Sequence, residues 1–195
     1  MAYPFVVFEG IDGCGKGAQV AELEKFVKKR RERVFLHKFP SESAKEVRAH
    51  LSGKKSYEED ELFSIYLQDI ISAQEKMKAD MLKGWVIADR YCISTAAYQS
   101  DKMDLQKRMM QIEEKGLLRA NIVFWLDLPV AQAMKRKLGQ KLPDRFEADS
   151  PFQKKVRENY EKLYRTSFMG AKWERIDASL EQRKIAEIIR AKINL

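Results

Sequence analysis

The residues best suited to chemistry lie in the stretch FVVFEGIDGCGKGAQ, residues 5–19. Its glycines let the backbone turn tightly with its N–H groups converging, and a helix after them would add the positive end of its dipole. Gly10, Gly15 and Lys16 fit the spacing G-x-x-x-x-G-K, in which the lysine reaches the β- and γ-phosphates of a nucleotide. The alternative is a glycine-rich turn without a ligand. The order of strand, loop, lysine and helix favours phosphate binding.

Gly17 departs from this phosphate-loop pattern. A Ser or Thr that ligates Mg²⁺ usually follows the lysine, whereas this chain has a glycine there. The sequence therefore predicts a phosphate-binding loop that lacks one metal ligand.

Charged residues also follow a second apolar run. The sequence Asp89-Arg90-Tyr91 comes directly after residues 85–88, a predicted strand. Doubly wound sheets carry their chemistry at the carboxyl ends of the strands. We therefore expect Asp89 and Arg90 to lie beside the phosphate loop as functional residues, with a structural ion pair as the alternative.

A short polar segment at residues 139–151 is surrounded by basic side chains. On a mobile lid these side chains would cover bound phosphates, but an ordinary surface loop has the same composition. Composition leaves both interpretations open. The basic residues are Lys135, Arg136, Lys137, Lys141 and Arg145.

Apolar runs and helical periodicities alternate along the chain. They predict strands at residues 5–8, 34–39, 85–88, 122–126 and 173–177. They predict helices at residues 18–29, 57–83, 94–100, 105–118, 129–138, 152–168 and 180–193, and another that begins near residue 44. This alternation indicates an α/β fold with a five-stranded parallel sheet covered by helices on both faces.

Length and composition limit the class of protein. A chain of 195 residues favours a single domain. No apolar run is long enough to span a bilayer and no export signal is evident, so we expect a soluble protein. Cys14 and Cys92 form neither a metal-binding spacing nor a disulfide framework. This is typical of a reducing compartment and makes the cytoplasm the default location.

The net charge of +8 has several explanations. Nucleic acid, an acidic small substrate or a lysine-rich surface would each account for it. The densest basic cluster, residues 28–31, falls at the end of a predicted helix, where cations complement the helix dipole. This position favours a solvated helix end over a nucleic-acid surface, and the surplus suits a polyphosphate ligand.

Five motifs resemble those of the thymidylate kinases, a family of P-loop nucleoside-monophosphate kinases, in the family's order and over nearly the whole chain. They are FEGIDGCGKGAQ, FP after the second strand, DRYCISTAAYQ after the third, FWLDLP at the fourth, and DRFE in the lid. The resemblance implies a three-layer P-loop NTPase fold, one domain over residues 1–195, with a lid at about residues 136–150. It also implies transfer of the γ-phosphoryl group of ATP to dTMP, with Mg²⁺, by a homodimer built on helices such as residues 57–83.

The resemblance also assigns residues to the two nucleotides. The predicted ATP-binding residues are Gly10, Ile11, Asp12, Gly13, Cys14, Gly15, Lys16, Gly17, Ala18 and Arg136. The predicted dTMP-binding residues are Phe39, Pro40, Arg48, Tyr66, Arg90, Ser94, Tyr98 and Gln99.

Catalysis of phosphoryl transfer depends on positioning and cationic stabilisation rather than covalent chemistry. The resemblance implies that Asp89 organises Mg²⁺ through water and that Arg90 clamps phosphates between donor and acceptor. Asp12 would lie near the sugar and phosphate of the acceptor. The predicted catalytic residues are Lys16, Asp89, Arg90, Asp12 and Arg145, the last paired with Phe146 in the lid.

Three positions depart from the family pattern. Gly17 lacks the hydroxyl group, although adenylate kinases carry the same GKG sequence and are active. Ile70 stands where relatives bear an arginine that grips the monophosphate. Glu42 lies in a turn where several relatives have an arginine, for which Arg48 could substitute. The alternatives are therefore a related kinase with a different acceptor and a nucleotide-binding protein with little turnover.

Overall fold

Strands and helices alternate along the chain. The computed structural model describes residues 2–100, 104–138 and 150–193, with the backbone alone at residues 137 and 138. Its strands are β1 Phe5–Glu9, β2 Val34–Lys38, β3 Trp85–Asp89, β4 Ala120–Asp127 and β5 Gly170–Asp177. Its helices are α1 Lys16–Lys29, α2 Lys45–Leu51, α3 Glu59–Met81, α4 Cys92–Tyr98, α5 Leu105–Glu113, α6 Val130–Leu138, α7 Ser150–Arg165 and α8 Gln182–Lys192.

The strands form a five-stranded parallel sheet in the order β2-β3-β1-β4-β5. β1 lies at its centre, with Phe8 opposite Asp89 of β3 and Phe124 of β4. Every residue of β1 is buried, which requires cover on both faces of the sheet. α1 packs with α8, while α3, α5 and α7 pack with α4. The predicted α/β fold of the P-loop NTPase type is therefore confirmed.

The carboxyl ends of the three central strands meet at one edge of the sheet. β1 runs into the glycine-rich loop, Asp89 ends β3 and Asp127 ends β4. In open parallel sheets this edge forms the ligand-binding crevice. The fold thus brings the phosphate-loop motif next to the DRY motif.

Some element boundaries differ from the prediction. α1 starts two residues earlier, because Gly15 takes a left-handed φ of 98° and ends the loop. β5 starts three residues earlier, at Gly170, where a Cβ would come within 2.7 Å of Val123 Cγ2. The close approach of β5 to β4 explains why a residue of low strand propensity begins this strand. The helix predicted over residues 105–118, with a break at Gly116, ends at Glu113, and Gly116 has a positive φ of 59°.

The predicted lid, about residues 136–150, falls mostly outside the described ranges, and with it Lys141, Arg145 and Phe146. Their assignments stay predictions. Within the described ranges, no helix is both long and apolar enough to cross a membrane.

Candidate active site

A glycine-rich loop joins β1 to α1 at the carboxyl edge of the sheet. Three of its glycines have positive φ: Gly10 at 138°, Gly13 at 79° and Gly15 at 98°. Gly10 also lies against β4, where a Cβ would come within 2.5 Å of the Leu126 carbonyl oxygen. A side chain is therefore excluded at Gly10. The left-handed residues give the loop the turns that let its N–H groups converge on phosphate oxygens.

Lys16 is folded back into this loop. Its Nζ donates hydrogen bonds to the carbonyl oxygens of Gly10 and Ile11, each at 3.0 Å, and lies 3.6 Å from Cys14 Sγ. Only 7% of the residue is exposed. An ammonium group held within the loop, next to the start of α1, makes this region attractive to anionic phosphate oxygens.

A cavity lies beside the phosphate loop, between the end of β2, α3 and α4. Its lining residues are Asp12, Phe39, Pro40, Leu51, Tyr66, Arg90, Tyr91, Ser94, Thr95, Tyr98 and Gln99. They include all the predicted dTMP-binding residues except Arg48. That residue is exposed on α2 and donates to the carbonyl oxygen of Ser41 at 3.3 Å. Folding thus brings into one cavity the residues that the motifs place far apart in the sequence.

Arg90 connects the cavity to the phosphate loop. Its Nη1 donates to the Gly10 carbonyl oxygen at 3.0 Å, and its Nη2 donates to Asp12 Oδ1 at 2.5 Å. Ser94 Oγ and the Tyr98 hydroxyl accept further hydrogen bonds at 3.0 and 3.3 Å. Burial opposes the charge of Arg90 most strongly, but the neighbouring groups, led by the Asp12 carboxylate, together outweigh burial and raise the pKa of Arg90. A permanent cation therefore stands between the two regions.

The backbone at Arg90 is unusual. Its φ of 69° lies in the left-handed region, which residues other than glycine rarely adopt. Its N–H still donates to the Phe8 carbonyl oxygen at 2.9 Å, so the chain turns directly after the β1–β3 pairing. Backbone strain of this kind is concentrated at functional sites, and here the strained residue supplies the arginine between loop and cavity.

Tyr98 and Asp12 are hydrogen-bonded to each other at the cavity. The Tyr98 hydroxyl donates to Asp12 Oδ2 at 2.9 Å, and the Arg90 guanidinium carbon lies 5.0 Å from the centroid of the Tyr98 ring. Burial raises the pKa of Tyr98, so the hydroxyl stays a proton donor. The Asp12 carboxylate is fixed because its two oxygens have different partners.

Asp89 differs from Arg90 in its contacts. Arg90 forms its ion pair with Asp12. Oδ1 of Asp89 is buried and has no hydrogen-bond partner in the described part of the chain. A buried carboxylate oxygen without a donor fits a role toward water-bound Mg²⁺. Among the residues that the structure describes, no group of three or more His, Cys, Asp or Glu side chains could hold a metal. Phosphates and water would therefore have to complete the coordination.

Gly17, which stands where the usual hydroxyl is missing, is the second residue of α1. Apart from its chain neighbours and the nearby backbone of α1, no atom of the described residues lies within 4 Å of a Cβ built on Gly17. Packing therefore does not require glycine at this position. The backbone at this position would accept a serine. The metal ligand is therefore missing because the residue is glycine, and not because packing excludes a side chain.

Sequence reasoning misses several residues at this site. Thr95 lines the cavity, and its place within the DRYCISTAAYQ motif was the available signal. Leu51 and Tyr91 line it as well. Glu9 is fully buried at the end of β1, where a charge after four apolar residues was the signal. The Tyr160 hydroxyl lies 2.8 Å from Glu9 Oε2, and nothing in the local sequence of α7 places it there.

The turn after β2 is held by α3. Asp69 accepts hydrogen bonds from the Ser41 N–H at 2.7 Å and from Ser41 Oγ at 2.5 Å. The next residue, Ile70, is 1% exposed and belongs to the hydrophobic core. The position at which the family resemblance predicts an arginine therefore supplies packing here. Glu42 is exposed in the turn itself.

Arg136 lies near the end of β5. Its Nη2 donates to the Ala178 carbonyl oxygen at 3.0 Å, and the Ala178 N–H donates to the Asp127 carbonyl oxygen at 2.9 Å. Arg136 is thus located at the same edge of the sheet as the phosphate loop. Its role toward adenine stays a prediction.

Asp127 is a second carboxylate at this edge, and it is fully paired with arginines. It accepts hydrogen bonds from Arg157 at 2.6 and 3.0 Å and from Arg175 at 3.0 and 2.7 Å. Burial opposes ionisation of Asp127, but the hydrogen bonds from Arg157 and Arg175 outweigh it and lower the pKa of Asp127. Since Arg157 belongs to α7 and Arg175 to β5, Asp127 ties both elements to β4.

Phosphoryl transfer between nucleotides requires a donor site and an acceptor site that meet at a cationic group. The phosphate loop and the cavity meet in this way at Arg90. On a P-loop NTPase sheet, this arrangement defines a nucleoside-monophosphate kinase.

Comparison with known proteins shows to which family of kinases the chain belongs. The thymidylate kinase family model matches residues 8–189. The thymidylate kinase of Plasmodium falciparum is 29% identical over 189 residues, covering 94% of this chain and 85% of the relative. A probable thymidylate kinase of Thermococcus onnurineus is 34% identical over 172 residues, covering 82% and 83%. The thymidylate kinase of Dehalococcoides mccartyi is 30% identical over 201 residues, covering 97% and 95%. The chain belongs to the thymidylate kinase family, as its motifs predict.

Proposed function

We propose that the protein transfers the γ-phosphoryl group of ATP to dTMP and releases ADP and dTDP. One observation carries this proposal: Arg90, which lines the cavity, donates a hydrogen bond to Gly10 of the phosphate loop and pairs with Asp12, a loop residue that also lines the cavity. A cation in contact with both regions lies where charge develops when a phosphoryl group passes between them. Membership of the thymidylate kinase family supports dTMP as the acceptor.

ATP would bind with its phosphates on the glycine-rich loop. The N–H groups of residues 10–18 and the Lys16 ammonium group would hold the β- and γ-phosphates. Lys16 already lies within the loop, at 3.0 Å from two of its carbonyl oxygens. Arg136, beside the turn after β5, would contact the adenine.

The acceptor dTMP would occupy the cavity. Phe39 and Pro40 would form a wall beside the monophosphate, and Tyr66 would add an aromatic surface. Ser94, Tyr98 and Gln99 are on the α4 side of the cavity. The Gln99 amide would face the pyrimidine edge, whereas the Ser94 and Tyr98 hydroxyl groups bond to Glu9 and Asp12 and would hold Arg90 beside the nucleotide.

Catalysis would rest on position and charge. Lys16 and Arg90 would place positive charge on the two sides of the transferred group, while Asp12 holds the Arg90 guanidinium in place. Bound Mg²⁺ would neutralise phosphate charge, and Asp89 would organise it through water. Arg145 would add a cation from the lid.

The proposal extends to the assembly. Residues 1–195 would form one kinase domain that acts as a cytoplasmic homodimer, with helices such as α3 at the interface. A hydrophobic core that includes both Phe5 and Ile193 supports the single domain. Sedimentation analysis at several protein concentrations tests the dimer, and a mass equal to one chain throughout would contradict it.

A coupled assay for ADP release tests the proposed function. The assay compares dTMP, dUMP, AMP, CMP and GMP as acceptors, with ATP and Mg²⁺. We expect dTMP to give the highest kcat/KM. Preference for another acceptor would reassign the enzyme to a related kinase, as the apolar Ile70 allows, and absence of turnover with every acceptor would overturn the kinase function.

A further inference from the structure

Glu9 is a buried carboxylate to which sequence analysis gives no role. It is the last residue of β1 and is 0% exposed. Its Oε1 accepts hydrogen bonds from the N–H groups of Tyr91 at 2.9 Å and Ser94 at 3.2 Å. Its Oε2 accepts from Ser94 Oγ at 2.5 Å and from the Tyr160 hydroxyl at 2.8 Å. Burial raises the pKa of Glu9, and the four donors around the carboxylate offset part of this effect.

The two hydroxyl groups on Glu9 are also partners of Arg90. Arg90 Nη1 donates to Ser94 Oγ at 3.0 Å and to the Tyr160 hydroxyl oxygen at 3.4 Å. A hydroxyl has one proton and two lone pairs. The two hydroxyl oxygens also lie 2.8 Å apart, and either can donate to the other. Glu9 competes for these protons as a charged acceptor, and a hydroxyl that donates to Glu9 has its lone pairs free to accept from Arg90. The direction of each of these hydrogen bonds therefore depends on Glu9 being an acceptor.

Tyr160 is held in this position by its ring. The ring lies 6.4 Å from Trp125 of β4 in a stacked arrangement and 6.5 Å from Tyr98 in an edge-on arrangement. Burial raises the pKa of Tyr160, so its hydroxyl keeps the proton that it donates. Packing thus fixes the oxygen that faces Arg90.

We propose that Glu9 is a positioning residue for Arg90. By accepting the protons of Ser94 and Tyr160, it turns both hydroxyl oxygens into acceptors and holds the guanidinium group toward the acceptor phosphate. Glu9 lies beneath the site and acts through these side chains without touching the substrate. The inference rests on the proposed function for the role of Arg90, and it adds Glu9 and Tyr160 to the residues that determine turnover.

The substitution Glu9→Gln tests the proposal because it keeps the shape and replaces one acceptor oxygen with an NH₂ donor. A hydroxyl that accepts from this amide would turn its own proton toward Arg90. We expect kcat/KM for the acceptor to fall about tenfold or more, while the KM for ATP stays within about twofold, since Lys16 and the loop are unchanged. An equal rise in the KM for ATP, or an unchanged kcat/KM, would overturn the proposal.

Tyr160→Phe gives a second test that keeps the packed ring. It removes one of the two hydroxyl acceptors, so a smaller loss in acceptor kcat/KM is expected, about threefold to tenfold. Tyr164→Phe is the matched control. Tyr164 lies one turn further along α7 and its ring contacts Trp125 and Trp173 at 5.6 and 6.0 Å. Loss of acceptor kcat/KM to the same extent in both variants would contradict the proposal.

The double variant Glu9→Gln/Tyr160→Phe separates positioning from general destabilisation. If Glu9 acts through the Tyr160 hydroxyl, that hydroxyl no longer helps Arg90 once Glu9 is replaced. The double variant should therefore have about the same acceptor kcat/KM as Glu9→Gln alone. Multiplication of the two losses would indicate independent effects and refute the coupling. If Glu9→Gln does not fold, the comparison of acceptor kcat/KM between Tyr160→Phe and Tyr164→Phe tests the positioning role. The assay of the wild type with the five acceptors tests the proposed function independently of these variants. All variants are then assayed with the acceptor that the wild type prefers.

Discussion

The donor and acceptor halves of the site are built in opposite ways. The donor half is one contiguous loop in which three glycines have positive φ and the lysine bonds to the loop's own carbonyl oxygens. The acceptor half is a cavity to which the phosphate loop, the end of β2, α2, α3 and α4 each contribute side chains. Backbone geometry therefore dominates the first half and side-chain identity the second.

This difference explains at which positions of the site the residue type can change without loss of contacts. Gly17 can be glycine without disturbing its surroundings, because nothing in the described structure packs on that position. Arg90, in contrast, depends on Asp12, Ser94 and Tyr98 for its orientation. A change in the acceptor half should therefore alter several contacts at once.

The largest effect is expected in the donor half, for Lys16→Ala. Loss of the ammonium group removes charge stabilisation from the transferred phosphoryl group, and kcat should fall by about 10³-fold. Lys25→Ala is the control, because Lys25 is an exposed surface residue paired with Glu22. Steady-state kinetics measure both. Retention of near-normal turnover by Lys16→Ala would break the assignment of the loop as the catalytic donor site.

The next effect concerns the acceptor half, for Arg90→Lys. A lysine keeps the charge but cannot contact Gly10, Asp12 and Ser94 through a planar fork. We expect kcat/KM for dTMP to fall by about 10²-fold, the value of one or two charge-assisted hydrogen bonds. Arg165→Lys, at an exposed surface pair with Glu161, should match the wild type. Equal activity of the two variants would show that charge alone suffices at Arg90.

The ion pairs of Asp127 are a structural counterpart of the Arg90–Asp12 pair, because the same Arg–Asp chemistry stabilises the fold there. Asp127→Asn should lower the free energy of unfolding by about 2 kcal/mol at pH 7, since Arg157 and Arg175 lose a charged acceptor, while activity stays within about twofold. The folded-state pKa of Asp127 is lowered, so its contribution is present above the ordinary value of 3.8 and is lost as pH falls below it.

Urea denaturation of wild type and Asp127→Asn between pH 7 and pH 3 measures this effect. The difference between the two proteins should shrink as the pH approaches the acid end of the range. A difference that stays constant with pH would show that packing, and not the ionised carboxylate, is responsible.

The smallest effect is expected for Gly17→Ser. The added hydroxyl would supply a metal ligand at a position with free space, so the Mg²⁺ concentration for half-maximal activity should fall by a few fold. Gly17→Ala is the matched control, because it shares the gain in helix stability of about 0.5 kcal/mol without the hydroxyl. The same Mg²⁺ dependence in both variants would show that the metal does not approach this residue.

Much of the fold follows from the sequence. The apolar runs predict all five described strands, and their alternation with helices predicts the parallel sheet that is observed. The start of β5 is missed because Gly170 and its neighbours have low strand propensity, and only contact with Val123 explains the strand there. Local propensity does not encode such tertiary contacts.

The candidate site also contains residues that local sequence predicts and residues that only tertiary contacts place there. The phosphate loop is predictable because its residues are contiguous and its glycines act through their own backbone. Thr95 belongs to a recognisable motif, whereas Tyr160 reaches Glu9 from α7, a residue separation of 151. No local pattern marks that contact.

Periodicity, glycine backbone freedom and contiguous motifs are enough to predict the parallel α/β sheet, the phosphate loop and the kinase family. Three features become visible only in the folded chain: Arg90 pairs with Asp12 and not with its neighbour Asp89, Ile70 is a core residue, and Glu9 accepts hydrogen bonds from four donors. The physical reason is that hydrogen bonds and packing depend on distances between segments, and those distances exist only once the sheet has brought its strand ends together.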